Sequence, residues 1–192
     1  MVNETKNVKC QSVNGLSYRG EWCDGKPNGG GRMEFPNHDL YEGEWKDGQM
    51  DGEGMYRFYD PQKDEFTSSY EGQFAKGKRH GVGRMIFPNR TFYVGQWQAD
   101  KRVGTGFGTF ANGDSFQGLW KNDQMMRGVY ALANGDRYDG EIAEGKFNGY
   151  GKYFFTSGQW FIGEWKDGVM LKGMIYYPDG KLKEVENGNA ID

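Results

Sequence analysis

The side chains best suited to acid–base or nucleophilic chemistry are scarce in this sequence. The only histidines are His38 and His80, and the only cysteines are Cys10 and Cys23. Both histidines fall in predicted loops, and neither cysteine has a histidine close to it in the sequence. The cysteines fit no metal-ligand spacing. We expect them to be reduced thiols, with a disulfide between them as the less favoured alternative.

Two further patterns look chemical without meeting the requirements of a site. The run Gly-Thr-Gly-Phe-Gly at residues 104–108 has the look of a phosphate-binding loop. It lacks the helix and the Lys-Ser/Thr pair that such a loop needs. The carboxylates Glu21, Glu44, Glu141 and Glu164 recur at one position of a repeated pattern, which favours strand-surface residues over paired acids. We therefore predict no catalytic residue, no metal site and no cofactor, and a protein that is not an enzyme.

Composition and charge exclude several classes of protein. Of the 192 residues, 32 are glycine, and 6 Trp, 12 Tyr and 13 Phe supply the rings. No apolar run approaches the roughly 18 residues of a membrane-spanning helix, and the first residues show no secretory signal. A net charge of −3 argues against nucleic-acid binding. We expect a cytoplasmic protein whose rings provide most of the buried apolar surface.

One string, aromatic-x-Gly-x-aromatic, recurs seven times along the chain. Successive starts are spaced 23, 29, 23, 23, 22 and 23 residues apart, and Ile142 replaces the second ring of the sixth copy. Copies one, two, three and six continue with x-x-Gly-x-x-x-Gly-x-Gly, and copies five and seven lose one residue of the Gly-x-x-x-Gly loop. Alternating apolar residues and a turn such as Asn112-Gly113 follow. Alternation on both sides of a turn predicts two short antiparallel strands per repeat, and hence a continuous meander of hairpins. The ring positions are Tyr18, Trp22, Tyr41, Trp45, Tyr70, Phe74, Tyr93, Trp97, Phe116, Trp120, Tyr138, Phe161 and Trp165.

The repeated glycines have a packing interpretation. Side chains alternate between the faces of a strand, so Tyr18, Gly20 and Trp22 share one face. A glycine on that face leaves room for a ring to lie against bare backbone. Each repeat would then bury its rings against its neighbours, as in other solenoids.

This pattern resembles the membrane occupation and recognition nexus (MORN) repeat, close to Tyr-x-Gly-Glu-Trp-x-x-Gly-x-x-x-Gly-x-Gly, over residues 15–180. The resemblance implies an all-β fold: an elongated, single-layer solenoid of about seven antiparallel β-hairpin repeats that form a twisted, grooved rod. It also implies a scaffold or docking surface, often at membranes or in cytoskeletal and ciliary structures. It does not imply one particular partner.

We predict three parts of the chain. Residues 1–14 form an N-terminal cap of half a repeat, residues 15–180 form the seven repeats, and residues 181–192 form a C-terminal cap strand and a frayed tail. The repeats start near residues 18, 41, 70, 93, 116, 138 and 161. The spacing of 29 marks a six-residue insertion within residues 59–69. It is either a tolerated extension or an acidic recognition loop that exposes Phe66.

The leading functional hypothesis is a non-catalytic protein-interaction scaffold. The thirteen rings of the repeats, hereafter the groove rings, would line a groove that docks a peptide or helical segment of a partner protein. A second contact is predicted on the alternate strand face, which is polar in the first two repeats and apolar from the third onward. The alternative is that twist buries this face against adjacent repeats. Its predicted contact residues are Ile86, Val94, Phe107, Leu119, Phe154 and Ile162.

Two other functions remain open at this point. The loops after the Trp positions carry a basic edge that would bind phosphoinositides or another anionic membrane, at about 1 kcal/mol for each cation near the surface. Its residues are Lys76, Lys78, Arg79, Lys101 and Arg102. The third hypothesis is a structural element that dimerises through its terminal strands. All three agree with a cytoplasmic protein that is associated with the cytoskeleton or a membrane.

Overall fold

The computed structural model describes residues 7–13 and 15–191, and it describes side chains for residues 15–189. The chain divides into two units, residues 1–101 and residues 102–192. Within the described residues each unit consists of β-strands and turns, without a helix.

Unit 1 is a meander in which every strand pairs antiparallel with the next along the chain. Its strands are β1 (Asn7–Val13), β2 (Leu16–Cys23), β3 (Lys26–Glu34), β4 (Leu40–Lys46), β5 (Gln49–Asp60), β6 (Glu65–Ala75), β7 (Lys78–Ile86) and β8 (Phe92–Gln98).

Unit 2 repeats this arrangement, with β9 beginning at the last residue of unit 1. Its strands are β9 (Lys101–Thr109), β10 (Ser115–Lys121), β11 (Gln124–Ala131), β12 (Arg137–Ala143), β13 (Lys146–Phe154), β14 (Trp160–Lys166), β15 (Val169–Tyr176), β16 (Leu182–Glu186) and β17 (Asn189–Ile191). The predicted all-β meander of antiparallel hairpins is confirmed within each unit.

The tightest turns lie at a different place from the Asn-Gly pairs that the sequence highlights. Asp24 and Gly25 connect β2 to β3 with φ angles of 50° and 77°. Two consecutive positive φ angles define the two-residue turn that matches the twist of a hairpin. Asn112 and Gly113 instead belong to a longer loop, which is closed by a 2.9 Å hydrogen bond from the amide of Phe110 to the carbonyl of Asp114.

The two faces of each sheet differ in burial. On β14, Phe161, Gly163 and Trp165 are buried, whereas the alternating Trp160 and Ile162 are partly exposed. We call the face with the groove rings the inner face and the opposite one the outer face. The core of each unit lies on its inner face.

The six-residue insertion lengthens a hairpin. It extends β5 to Asp60 and lets β6 begin at Glu65, so that only residues 61–64 form the turn. Phe66 lies beside Tyr59, with ring centroids 5.8 Å apart, and is 45% exposed. The sequence placed this segment in a loop, but its backbone continues the strand pairing.

The predicted caps fall on strands at the ends of the described chain. β1 pairs with β2, and β16 pairs with β17. The boundaries of the caps stay predictions, and residues 1–6, 14 and 192 lie outside the described residues. The side chain of Cys10, and with it the disulfide alternative, also lies outside the described side chains.

Candidate docking surface

The groove rings form the inner-face core, where the first rings Tyr18, Tyr41, Tyr70, Tyr138 and Phe161 each lie across a pair of glycines. Gly140 and Gly151 are directly opposite each other on β12 and β13. A Cβ atom built on either glycine would lie 2.5 Å from Cζ of Tyr138. The hydroxyl of Tyr138 donates a 2.8 Å hydrogen bond to the carbonyl of Glu141. Only glycine lets a ring approach the backbone so closely.

Each tryptophan of the core reaches back to the preceding repeat. The indole Nε1 of Trp45 donates a 3.1 Å hydrogen bond to the carbonyl of Gly31, and Trp97 donates one of the same length to Gly83. Trp120 and Trp165 make the equivalent bonds at 3.3 Å. Edge-to-face contacts link each ring to its neighbours, as between Tyr41 and Trp45 at 5.1 Å.

This packing corrects the predicted position of the binding groove. Twelve of the thirteen groove rings are no more than 5% exposed, so a partner cannot contact them while the sheet is intact. The exception is Trp22, which is half-buried. The physical reason is that the glycines that make room for the rings also let the rings close over the inner face. The buried rings are Tyr18, Tyr41, Trp45, Tyr70, Phe74, Tyr93, Trp97, Phe116, Trp120, Tyr138, Phe161 and Trp165.

The aspartates of the longer loops are buried as well. Asp136 accepts a 2.7 Å hydrogen bond from the hydroxyl of Tyr153 and a 2.9 Å bond from the amide of Thr156. These bonds hold the pKa of Asp136 below its ordinary value. Asp39 and Asp114 occupy equivalent positions. They tie consecutive loops together, so they are structural groups.

The basic edge is partly neutralised. Nε of Arg79 lies 3.1 Å from a carboxylate oxygen of Asp100, and its guanidinium lies 4.5 Å from the ring centroid of Trp97. In unit 2, Arg102 makes the equivalent contacts with Asp123 at 3.0 Å and Trp120 at 4.5 Å. The lysines Lys76, Lys78 and Lys101 are exposed. The arginines therefore cover core tryptophans.

The other residues that the sequence singled out for chemistry have structural positions. A Cβ atom built on Gly52 would lie 2.8 Å from Cδ of Glu44, and one on Gly149 would lie 2.9 Å from Cδ of Glu141. These carboxylates thus fill the space above glycines of β5 and β13. The run at residues 104–108 lies in β9 and pairs with β10. Among the described residues, no three His, Cys, Asp or Glu side chains are grouped so that they could hold a metal ion.

The outer face carries the exposed apolar side chains. In unit 1, Val82 is 58% and Val94 is 39% exposed, and Ile86 is half-buried. In unit 2, Leu119 is 49% exposed. Phe107, Phe154 and Ile162 are half-buried on the same face of that unit. The outer face, which is the alternate strand face predicted from the sequence, is therefore solvent-facing at several of its positions.

One group of apolar side chains on the outer face spans four strands of unit 2. Phe154, Trp160, Tyr176 and Leu182 form one cross-strand row, because each lies directly opposite the next on β13–β16. The rings of Trp160 and Tyr176 stack in parallel, with centroids 3.9 Å apart and an interplanar angle of 1°. Arg137 continues the row on β12, where its guanidinium lies 4.5 Å from the ring centroid of Phe154.

A second row lies beside the first, with Ile162 opposite Met174. We call the combined surface the platform. It consists of Phe154, Trp160, Ile162, Met174, Tyr176 and Leu182. Sequence reasoning predicted contact through Phe154 and Ile162 but missed Trp160, Met174 and Leu182. Trp160 directly precedes Phe161, the first ring of the seventh repeat. Because side chains alternate between the faces of a strand, this position was the sequence signal by which Trp160 could have been assigned to the outer face.

Nothing in the described chain forms a helix of the length and apolarity that crossing a membrane requires.

The chain is similar in fold to several solved structures. The TCP domain of SAS-4 (dCPAP) from Drosophila melanogaster, in complex with a proline-rich motif of Ana2 (dSTIL), is 11% identical with a TM-score of 0.50, and the similarity covers 83% of this chain and 84% of that chain. The G-box domain of the microcephaly protein CPAP is 15% identical with a TM-score of 0.48, over 96% and 97% of the two chains. The TCP10 domain of Danio rerio CPAP, in complex with a STIL peptide, is 14% identical with a TM-score of 0.30, over 97% and 98%.

No curated protein matches the sequence. The family model of the MORN repeat matches seven segments, at residues 18–40, 41–60, 70–92, 93–115, 116–137, 138–160 and 161–181. The interval between the second and third segments contains the insertion. Since these segments cover most of the chain, the protein belongs to the MORN repeat family.

Proposed function

We propose that this protein is a non-catalytic interaction scaffold that docks a peptide segment of a partner protein on the platform of unit 2. The observation that carries the proposal is the row of Phe154, Trp160 and Tyr176, whose stacked rings remain partly exposed on the outer face. Tryptophan and tyrosine dominate the binding energy of protein interfaces when a partner covers them. Contiguous apolar surface on the outside of a protein marks such a contact.

The position of the platform separates binding from folding. The inner-face rings hold the sheet together through their contacts with glycines and with each other. The platform residues lie on the opposite face, where Leu182 is 53% exposed. A partner can therefore cover the platform without any change in the inner-face core.

The fold similarity supports peptide docking as a function that such a sheet can serve. The Drosophila SAS-4 TCP domain, which is similar over 83% of this chain, is described in complex with a proline-rich motif of Ana2. For this protein, the association with the cytoskeleton, cilia or a membrane is part of the proposal, as is its cytoplasmic location.

The membrane-tether alternative has weaker support. Arg79 and Arg102 of the basic edge each form an ion pair with an aspartate and stack on a tryptophan. Exposed lysines alone leave a smaller attraction for an anionic surface. Dimerisation through terminal strands remains the third hypothesis.

The experiment is a selection of displayed random peptides on the purified full chain, followed by affinity measurement of synthetic copies. The test variant is Trp160→Thr/Ile162→Thr, in which threonine keeps a high strand propensity. The control variants are Val82→Thr and Phe66→Thr, which remove exposed apolar side chains from unit 1. We expect the selected peptides to lose at least tenfold in affinity for the test variant and to bind both controls as they bind the wild type.

Thermal unfolding of every variant shows whether the fold is retained. If the double variant unfolds early, Leu182→Thr provides a milder change at a position that is already 53% exposed. Equal affinity for the wild type and the folded platform variants would overturn the proposal. A selection that yields no binding peptide would overturn it as well.

A further inference from the structure

We propose that the platform binds an extended peptide in which an acidic and a basic residue, four positions apart, flank a central apolar residue. This inference rests on the proposed function, since it assigns the chemistry of the peptide to the same surface. It follows from a trough on the outer face whose floor is apolar and whose two ends carry opposite charges.

The trough runs across the strands of unit 2. Lys152 on β13 lies opposite Ile162 on β14, which lies opposite Met174 on β15, which lies opposite Glu184 on β16. The row therefore reads cation, apolar, apolar, anion along the direction of strand pairing. Lys152 and Glu184 are both exposed.

Two rows of larger side chains form the walls of the trough. One wall is the aromatic row of Phe154, Trp160 and Tyr176. The other wall is the row of Tyr150, Glu164 and Lys172, in which Tyr150 is 57% exposed. The backbones of the two walls are about 13 Å apart, because four residues separate them along each strand. The wall side chains fill part of this separation, so a helix, about 10–12 Å wide with its side chains, would rest on the walls, whereas an extended chain fits between them.

The charges within the walls are already matched across strands. Glu164 lies opposite Lys172, and Lys172 lies opposite Glu186. At the ends of the trough, Glu184 has only Met174 and Ile191 directly opposite it. Lys152 has Asp139 opposite it on β12. Nζ of Lys152 lies 5.8 Å from the ring centroid of Trp160, above the wall of the trough.

The length of the trough fixes the spacing of the peptide residues. Three strand spacings of about 4.8 Å put the two charged ends about 14 Å apart. In an extended chain, side chains at positions i, i+2 and i+4 point to the same side and span about 13 Å. An acidic residue at one end then meets Lys152, the central apolar residue meets Ile162 and Met174, and a basic residue at the other end meets Glu184.

The test is a peptide selection on three forms of the full chain: the wild type, Lys152→Glu and Glu184→Lys. Because each substitution makes both ends of the trough carry the same charge, the expected peptides do not depend on which way the chain runs. The wild type is expected to select one acidic and one basic residue four positions apart around an apolar residue. Lys152→Glu is expected to select two basic residues at these positions, and Glu184→Lys two acidic ones.

A matched control is Glu42→Lys, which reverses an exposed outer-face charge in unit 1 and should leave the selected pattern of the wild type unchanged. With synthetic peptides, neutralising either charged residue should weaken binding to the wild type by about two- to fivefold, as for exposed ion pairs, and high salt should remove this difference.

The outcomes separate this inference from the proposed function. Peptides that need Trp160 and Ile162 for binding, yet show the same charge pattern on all three forms or none at all, would overturn the inference and leave docking on the platform standing. If no peptide depends on the platform, the proposed function fails and the inference fails with it.

Discussion

Gly30 and Gly31 are neighbours on β3 whose missing side chains point to opposite faces of the sheet, so they test the packing of the inner face directly. A Cβ atom built on Gly30 meets its nearest heavy atom, a carboxylate oxygen of Glu21, at 3.7 Å. A Cβ atom built on Gly31 lies 2.5 Å from Cζ and 2.6 Å from Cε2 of Tyr18. Neither glycine has a positive φ angle that would strain alanine. The two substitutions therefore differ mainly in the side chain that they meet.

We expect Gly31→Ala to lower the free energy of unfolding by about 2–4 kcal/mol. Overpacking of a buried site costs about 1–3 kcal/mol. Displacement of Tyr18 also weakens its 2.9 Å hydrogen bond to the carbonyl of Glu21, which is worth about 0.5–1.5 kcal/mol. Gly30→Ala should raise the free energy of unfolding by about 0.4–1 kcal/mol, because alanine reduces the conformational freedom of the unfolded chain without a clash.

The assay is thermal and denaturant unfolding followed by near-ultraviolet circular dichroism, which reports the packing of the rings. In a protein of this size, a change of 1 kcal/mol shifts the melting temperature by about 2–4 °C. Gly31→Ala should then melt roughly 4–16 °C below the wild type, and Gly30→Ala a few degrees above it. Equal losses for the two variants, or a stable Gly31→Ala, would refute the assignment of these glycines to opposite faces.

Two further predictions concern the hydrogen bonds of the core. Trp45→Phe should lower the free energy of unfolding by about 1 kcal/mol more than Trp22→Phe, as measured by denaturant unfolding. The reason is that Nε1 of Trp45 donates a hydrogen bond to the carbonyl of Gly31, whereas Nε1 of Trp22 is buried with no partner among the described residues. Equal losses for the two variants would contradict this prediction. Hydrogen bonds, of which that from Tyr153 is the strongest cause, keep the pKa of Asp136 below its ordinary 3.8. The Asp136 carboxylate therefore stabilises the fold above pH 3.8. This stabilisation is lost as the pH falls through the lower pKa of the folded state. Asp136→Asn should therefore be less stable than the wild type at pH 7 and lose less stability between about pH 4 and pH 2, which acid titration of the unfolding free energy measures.

The repeated string predicted the fold because its rings and glycines stand at the positions where they pack against each other. A ring two residues before a glycine, with a second glycine opposite on the next strand, has one compact arrangement, which Tyr138 with Gly140 and Gly151 adopts. The alternation of apolar residues fixed which positions share a face. It also placed Phe154 and Ile162 on the outer face, where the structure has them.

The candidate site was harder to predict. Alternation along a strand shows which residues share a face, but it does not show which face is covered by packing. The groove rings were expected to be open to a partner, yet glycines let them cover the backbone and each other. The cross-strand register determines which side chains lie together on the platform. Trp160 and Tyr176 are 16 residues apart in sequence, and their rings stack at 3.9 Å because the pairing of β14 with β15 places them directly opposite each other.

The inner face holds the fold together, and the outer face is free to vary. This difference explains how one repeat pattern can support a specific contact with a partner. Most inner-face positions of the repeats hold a ring or the glycine beneath it, and core tryptophans such as Trp165 bond to the preceding repeat. Outer-face positions contact mainly their cross-strand neighbours, so their side chains can change with small effects on folding. Unit 1 uses this freedom for charges such as Arg32 opposite Glu42, whereas unit 2 places Trp160 opposite Tyr176. Substitutions on the platform should therefore change partner binding at nearly constant stability, and substitutions among the inner-face glycines should do the reverse.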